Sequence, residues 1–337
     1  MFGKSPNGKF CPGAFLCLTV IASFAIATNT SASQPFLTQD QNPFSLIHGQ
    51  PQPVAARLPE AGIAKWSFTT DIANTLNGET NSTEKLLIDF ESYNLRLAWL
   101  YALNQEWALK IDIPYIHYGG GFLDNTIDGW HDFFHLPRAN RPLVKDNQFE
   151  IFYERNGQPL INLNTSNKHS GDIQLALGKS VFKQKDSALS LWLSADLATG
   201  ESSSLTGNDS SDLSLWLAAE YQLAADWQTD INLGILFPGQ SQLTLLEIAD
   251  QVYFAYAGIE WQVHELVDLR IQLNGHSSFY DNSQLTLLGT AYSMVFGGRI
   301  HVTDCSDLDL AFSEDVQVGA TPDISFLLSW RSQIDCQ

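Results

Sequence analysis

Two histidines one helical turn apart, in the stretch HDFFH at 131–135, are among the residues of this chain best spaced to do chemistry. Imidazoles at i and i+4 share a helix face, so His131 and His135 can meet one ion, with Asp128 or Asp132 as an oxygen ligand and His117 approaching from upstream. The order H-D-F-F-H is not the H-E-x-x-H of a zinc hydrolase, because Asp132 is offset from the general-base role. A polar helix face often carries histidines and aspartates without metal, so no metal or other cofactor is expected. A second pair, His276 and Ser278 in GHSSFY, has the residue types of a base and a nucleophile.

The first group must be positioned by a helix. Gly119, Gly120 and Gly121 break the preceding strand pattern, and from Phe122 to Leu136 the apolar period changes from 2 to about 3.6. Leu123, Ile127, Trp130 and Phe134 make one stripe, and Asp124, Asp128, His131, Asp132 and His135 make the other. This pattern predicts an amphipathic helix over 122–136, ended by Pro137.

The rest of the chain after Ala61 alternates apolar and polar residues. LSLWLSADLAT sets Leu189, Leu191, Leu193, Ala195 and Leu197 against Ser190, Trp192, Ser194 and Asp196. The same alternation gives twelve segments: 62–74, 85–100, 106–118, 171–182, 187–199, 212–223, 227–238, 251–263, 266–280, 288–303, 306–314 and 323–332. Short turns follow every second segment and longer polar loops follow the others, the longest spanning 118–170. An even number of strands with turns alternating in length is the signature of a transmembrane antiparallel up-and-down β-barrel with short periplasmic turns. Trp66, Trp99, Trp107, Trp227, Trp261 and Trp330 fall on the apolar face near the short-turn ends, as an interfacial aromatic girdle requires. The expected architecture is an all-β barrel of about twelve strands over 61–332, with the helix on its long third loop and a tail at 333–337.

The ends agree with export. Residues 1–33 read as a signal peptide, with Lys4 and Lys9 ahead of an apolar run and small residues for cleavage after Ala32 or Ser33. Residues 34–60 hold five prolines and little periodicity, the character of an extended lead-in. The formal net charge of −19 excludes a basic footprint for nucleic acid. Two cysteines lie beyond the signal, Cys305 in the last short turn and Cys336 after the last strand, and one disulfide is the simplest arrangement.

The stretches NPFSLIHGQPQP…RLPEAG…DIANTLN, GGGFLDNTIDGWHDFFHLP and QLNGHSSFYDNS resemble a family of uncharacterised Gram-negative outer-membrane proteins defined only as a domain of unknown function. The resemblance covers nearly all of the chain beyond the signal and implies an exported barrel, without an activity. The chain departs from the usual barrel ending, because Trp330 is followed by RSQIDCQ.

The expected function is a constricted channel or uptake protein in the outer membrane for an unidentified small solute. Its polar constriction would be Asp124, Asp128, His131, Asp132 and His135 with Arg270 and His276. The expected partners are outer-membrane lipid and the barrel-assembly machinery. The alternatives are a sealed structural barrel and a lipid-active hydrolase using His276 and Ser278. Phe279 stands where such barrel hydrolases carry asparagine, and His276 and Ser278 share the luminal face of Arg270, which weighs against catalysis at the lipid surface.

Overall fold

The computed structural model describes residues 33–123, 129, 147–240 and 246–334. Twelve long antiparallel strands close into a barrel: β1 (Ala64–Thr80), β2 (Glu84–Ala102), β3 (Trp107–Gly119), β7 (Ile173–Lys183), β8 (Ser187–Leu197), β9 (Leu213–Ala224), β10 (Trp227–Phe237), β11 (Val252–His264), β12 (Val267–His276), β13 (Ala291–Thr303), β14 (Ser306–Asp315) and β15 (Ile324–Gln333). The numbering leaves room for three short strands of the long loop, β4 (Glu150–Arg155), β5 (Gln158–Leu163) and β6 (Asn167–Ser170). Closure is made by β1 against β15, in register from Lys65–Gln333 to Asn74–Ile324. A closed sheet has no unpaired edge, the condition for crossing hydrocarbon with strands.

The alternation read from the sequence decides which face is which. On β9, Leu213, Leu215 and Leu217 are exposed while Ser214, Trp216, Ala218 and Glu220 are buried. The same inversion holds for Leu191 and Leu193 on β8 and for Leu269, Ile271 and Leu273 on β12. An exterior of leucines around a polar interior is the opposite of a soluble fold and suits a lipid surround. The tryptophans follow the expected level at the short-turn ends: Trp227 stacks on Trp261 at 5.3 Å, and Trp66 lies 6.1 Å from Trp99.

Two loops are more ordered than their composition suggests. The polar stretch after Asn74 continues β1 to Thr80, paired residue for residue with β2, and the turn is only 81–83. Strand β1 has 17 residues and β2 has 19, well beyond the roughly 9–11 that cross a bilayer. The hairpin therefore stands clear of the membrane, where β4 and β5 extend it and β6 pairs with the end of β3. In the other direction, the ninth segment is shorter than expected: β12 stops at His276, which leaves Ser278 in a loop. Glycine ends β3 as anticipated, and Gly121 takes a positive φ of 65° where the Glu91 carboxylate fills the space of a side chain. The helix expected over 122–136 lies largely outside the described residues; Leu123 is buried, its backbone N–H donating to Glu91.

Candidate functional site

The lumen is occupied by the chain's own lead-in. Of residues 33–58, only Gln34, Ala55 and Arg57 are not buried. The segment enters at the short-turn end, climbs to the far end, turns, and descends to begin β1 where it entered. Four prolines and a paucity of regular structure suit this path, since the segment adds no strand to the sheet and its polar groups are met by wall side chains.

The ascending limb runs along β12–β15 and β1. Ser33 Oγ donates to Asp230 at 2.7 Å, and Arg299 and Arg331 donate to the carbonyls of Gln34 and Pro35, the first at 2.8 Å. The Gln272 side chain spans Phe36, accepting from its N–H at 2.9 Å and donating to its carbonyl at 3.2 Å. The Phe36 ring packs on Val295 and Leu327. Thr38 Oγ1 donates to Asp71 at 2.7 Å, and Asp40 meets His276 Nε2 at 3.0 Å.

The tip is a one-turn helix, α1 (Pro43–Leu46). Asn42 caps it by accepting from the Phe44 N–H at 3.1 Å, and Pro43 supplies the preset φ of a first helical residue. Phe44, Leu46 and Ile47 join the main apolar cluster with Tyr153, Leu287 and other loop residues. The Tyr280 hydroxyl donates to the Phe44 carbonyl at 2.8 Å. His48 stacks on Phe279 at 4.6 Å and lies 3.9 Å from Asp212. Burial and the nearby His276 push the His48 imidazole down to about 3, so His48 is neutral and its approach to Asp212 is not an ion pair.

The descending limb lies on β7–β11. Asp212 accepts from the Gly49 N–H at 2.7 Å, and Gln50 donates to the Tyr256 hydroxyl at 2.7 Å. Asn232 grips Val54 through both its N–H and carbonyl, at 3.0 and 3.1 Å. Arg57 pairs with Glu220 at 2.5 Å beside the short turn at Lys185. Gly49 allows this packing, because the Asp196 side chain lies where a Cβ would stand.

The wall beneath carries an ion-pair ladder across six strands, β10 to β15. Asp230 meets Arg270 at 2.5 Å, Glu260 bridges Arg270 and Arg299 at 3.5 and 3.4 Å, and Asp309 joins Arg299 at 2.8 Å and Arg331 at 2.6 Å. Buried charges persist when paired and hydrogen-bonded, and the plug supplies the remaining acceptors. Below the plug, at the short-turn end, a vestibule of about 530 Å³ is lined by residues including Lys65, Lys110, Trp192, His301 and Arg331. A second gap, between Gly49, Arg96 and Asp196, holds about 10 Å³, the room of a single water.

Of the residues expected at the constriction, Arg270 and His276 are in the lumen, both bound to the plug rather than to a helix of the third loop. Asp124, Asp128, His131, Asp132 and His135 lie outside the described residues, so the expected constriction and the metal pair are not among the groups seen here. His276 and Ser278 do not form a base–nucleophile pair. The His276 ring faces Asp40 and the Ser277 carbonyl, while Ser278 Oγ bonds the carbonyls of Tyr280 and Leu288 at 2.8 Å. Cys305 lies in the β13–β14 turn, and Cys336 is outside the described residues. Sequence reasoning missed Asp40, His48, Asn42 and Asp212, whose signal was weak: an unpatterned polar segment and isolated loop residues.

Residues 14–334 match the family described as Protein of unknown function (DUF3187). The chain belongs to this family. No curated protein matches the chain in sequence at a significant level. Among solved structures, an outer-membrane channel from Pseudomonas putida F1 is similar over 85% of this chain and 100% of its own, with a TM-score of 0.56 at 13% identity. A NanC porin covers 79% of this chain and 98% of its own, at a TM-score of 0.45 and 8% identity. The family member described here thus has the fold of an outer-membrane β-barrel channel.

Proposed function

We propose that the protein is a plugged outer-membrane channel that takes up a small solute when the 33–58 segment is displaced. The observation that carries this reading is how the plug is held. Outside its apolar tip, and apart from Phe36 and the apolar residues of 54–58, it is held by hydrogen bonds and ion pairs to wall side chains, which water and solute could replace. A structural core sealed for stability alone would be expected to bury apolar surface along its whole length. The vestibule then gives the plug's foot access to the periplasm. Outer-membrane lipid covers the leucine exterior, and the barrel-assembly machinery inserts the strands.

The test is single-channel conductance of the refolded protein beside a variant lacking residues 33–58 and a variant lacking residues 122–136. A small or absent current in the full chain and a large one without 33–58 is expected. No current from either, with both barrels folded, means a sealed structural barrel. A large current only without 122–136 assigns the obstruction to the third loop.

A further inference from the structure

Ser33 begins the plug and is fully buried near the foot of the lumen. Its hydroxyl donates to Asp230 Oδ2 at 2.7 Å and accepts from Arg270 Nη1 at 3.3 Å. Asp230 is itself 3% exposed. Its Oδ2 is fully used, by Ser33 and by Arg270 Nη2. Its Oδ1 is buried and has no hydrogen-bond partner among the described residues. A buried carboxylate oxygen left unpaired bears its full desolvation cost, so the site is short of one donor. Its neighbour Glu260 meets Arg270 at 3.5 Å and Arg299 at 3.4 Å. Arg270 serves only Oδ2 of Asp230, and the backbone nitrogen of Ser33 is separated from the bonded hydroxyl only by Cα and Cβ.

In an uncleaved chain that nitrogen is an uncharged amide. Hydrolysis by a signal peptidase changes it: water adds across the Ala32–Ser33 bond, the hydroxyl goes to the Ala32 carbonyl, and the nitrogen gains a hydrogen. The released amine takes a further proton from solution, as α-amino groups do near neutral pH. The upstream small residues Ser31 and Ala32 suit such cleavage. We propose that cleavage between Ala32 and Ser33 creates an α-ammonium group that docks on the free oxygen of Asp230, so that the processed N terminus is itself the ligand that locks the plug. Of the two cleavage positions the sequence allows, cleavage after Ser33 removes the residue whose hydroxyl is already held and leaves Gln34, which is not buried. Processing and closure are thereby coupled: the barrel seats its plug only once the leader has gone.

The experiment uses the full-length protein expressed with its leader and extracted from outer membranes. Intact mass is expected to place the first residue at Ser33. An amine-reactive label applied at neutral pH, with the modified site read by peptide mass spectrometry, is expected to modify the Ser33 amine at least tenfold more slowly in the folded barrel than after heat unfolding. Asp230→Asn, confirmed as folded by its heat-modifiable gel mobility, is expected to restore fast labelling. One alanine inserted before Ser33, which leaves every barrel residue in place, is expected to do the same. A different first residue overturns the proposal, as does equal labelling of folded and unfolded protein. Equal protection in Asp230→Asn and in the alanine insertion also overturns it, because burial alone would then shield the amine. None of these readings depends on conductance, so failure here is distinguishable from failure of the channel reading.

Discussion

Truncating the plug tip separates a movable plug from a fixed core. Phe44 is fully buried, with its ring 6.0 Å from Tyr153 in an edge-on contact and its carbonyl held by Tyr280. Phe→Ala at such a site costs about 3–5 kcal/mol. If the plug opens as a local unit while the barrel stays folded, the whole of this cost falls on the closed state. At about 1.4 kcal/mol per power of ten, the opening constant of Phe44→Ala rises by roughly two to four powers of ten. Single-channel recording in planar bilayers reads this directly as open probability, with gel mobility confirming a folded barrel. The expected outcome is a rarely open wild type and a frequently open variant of the same unit conductance. The reasoning is refuted if Phe44→Ala stays closed while the barrel itself melts at a lower temperature. Plug and wall would then unfold as one body, and displacement without unfolding would not occur.

Acid is expected to loosen the tip. The folded His48 pKa of about 3 lies below its ordinary value near 6.5, so between those limits the released histidine binds a proton and the seated one does not. Seating is therefore complete above pH 6.5 and weakens as pH falls, by at most about 1.4 kcal/mol per unit. Burial raises the neighbouring Asp212 carboxyl, which acts in the opposite sense as pH falls through its folded value. Open probability should rise between pH 7 and 5 and lose that rise in His48→Gln; a flat profile in the wild type removes the argument. In single-tryptophan variants reconstituted with brominated lipid, Trp227 should be strongly quenched and Trp192, 1% exposed inside the lumen, should not; equal quenching contradicts the assigned faces. The Gln333 N–H donates to the Cys305 carbonyl at 2.9 Å, which brings the chain's end beside the last turn. A non-reducing digest is expected to yield a Cys305–Cys336 cross-linked peptide, and two free thiols in the extracted protein would dismiss the disulfide.

The strands were legible because a barrel wall has one rule. Each residue faces either lipid or lumen, so Leu213, Leu215 and Leu217 against Ser214, Trp216 and Glu220 carry the fold in their alternation. The boundaries that failed lie beyond the membrane, where that rule lapses. Asn74–Thr80 is polar on both faces, and its pairing with Lys85–Glu91 rests on a register already set inside the bilayer. Ser278 was misplaced for the converse reason, since its alternation with His276 continues past the last ladder pair, His276–Ala291.

The plug was illegible for a physical reason of another kind. Residues 33–58 form no ladder, so no period marks them, and their partners are distant in sequence: Asp230, Gln272, Asp71, Tyr256, Asn232 and Glu220. The trace they do leave is in the wall. Gln272 and Asn232 are amides on inward positions at mid-strand, each carrying both donor and acceptor. A water-filled pore has no need of groups matched to a peptide backbone, whereas a polypeptide in the lumen presents N–H and C=O in alternation along its length. Gln272 takes both groups of Phe36 and Asn232 takes both of Val54, the pairing that a strand neighbour would have made. Inward amides at mid-strand, here two strands apart on β10 and β12, are thus the signature of a lumen built to hold a peptide, and they tie the wall's sequence to that of the segment it encloses.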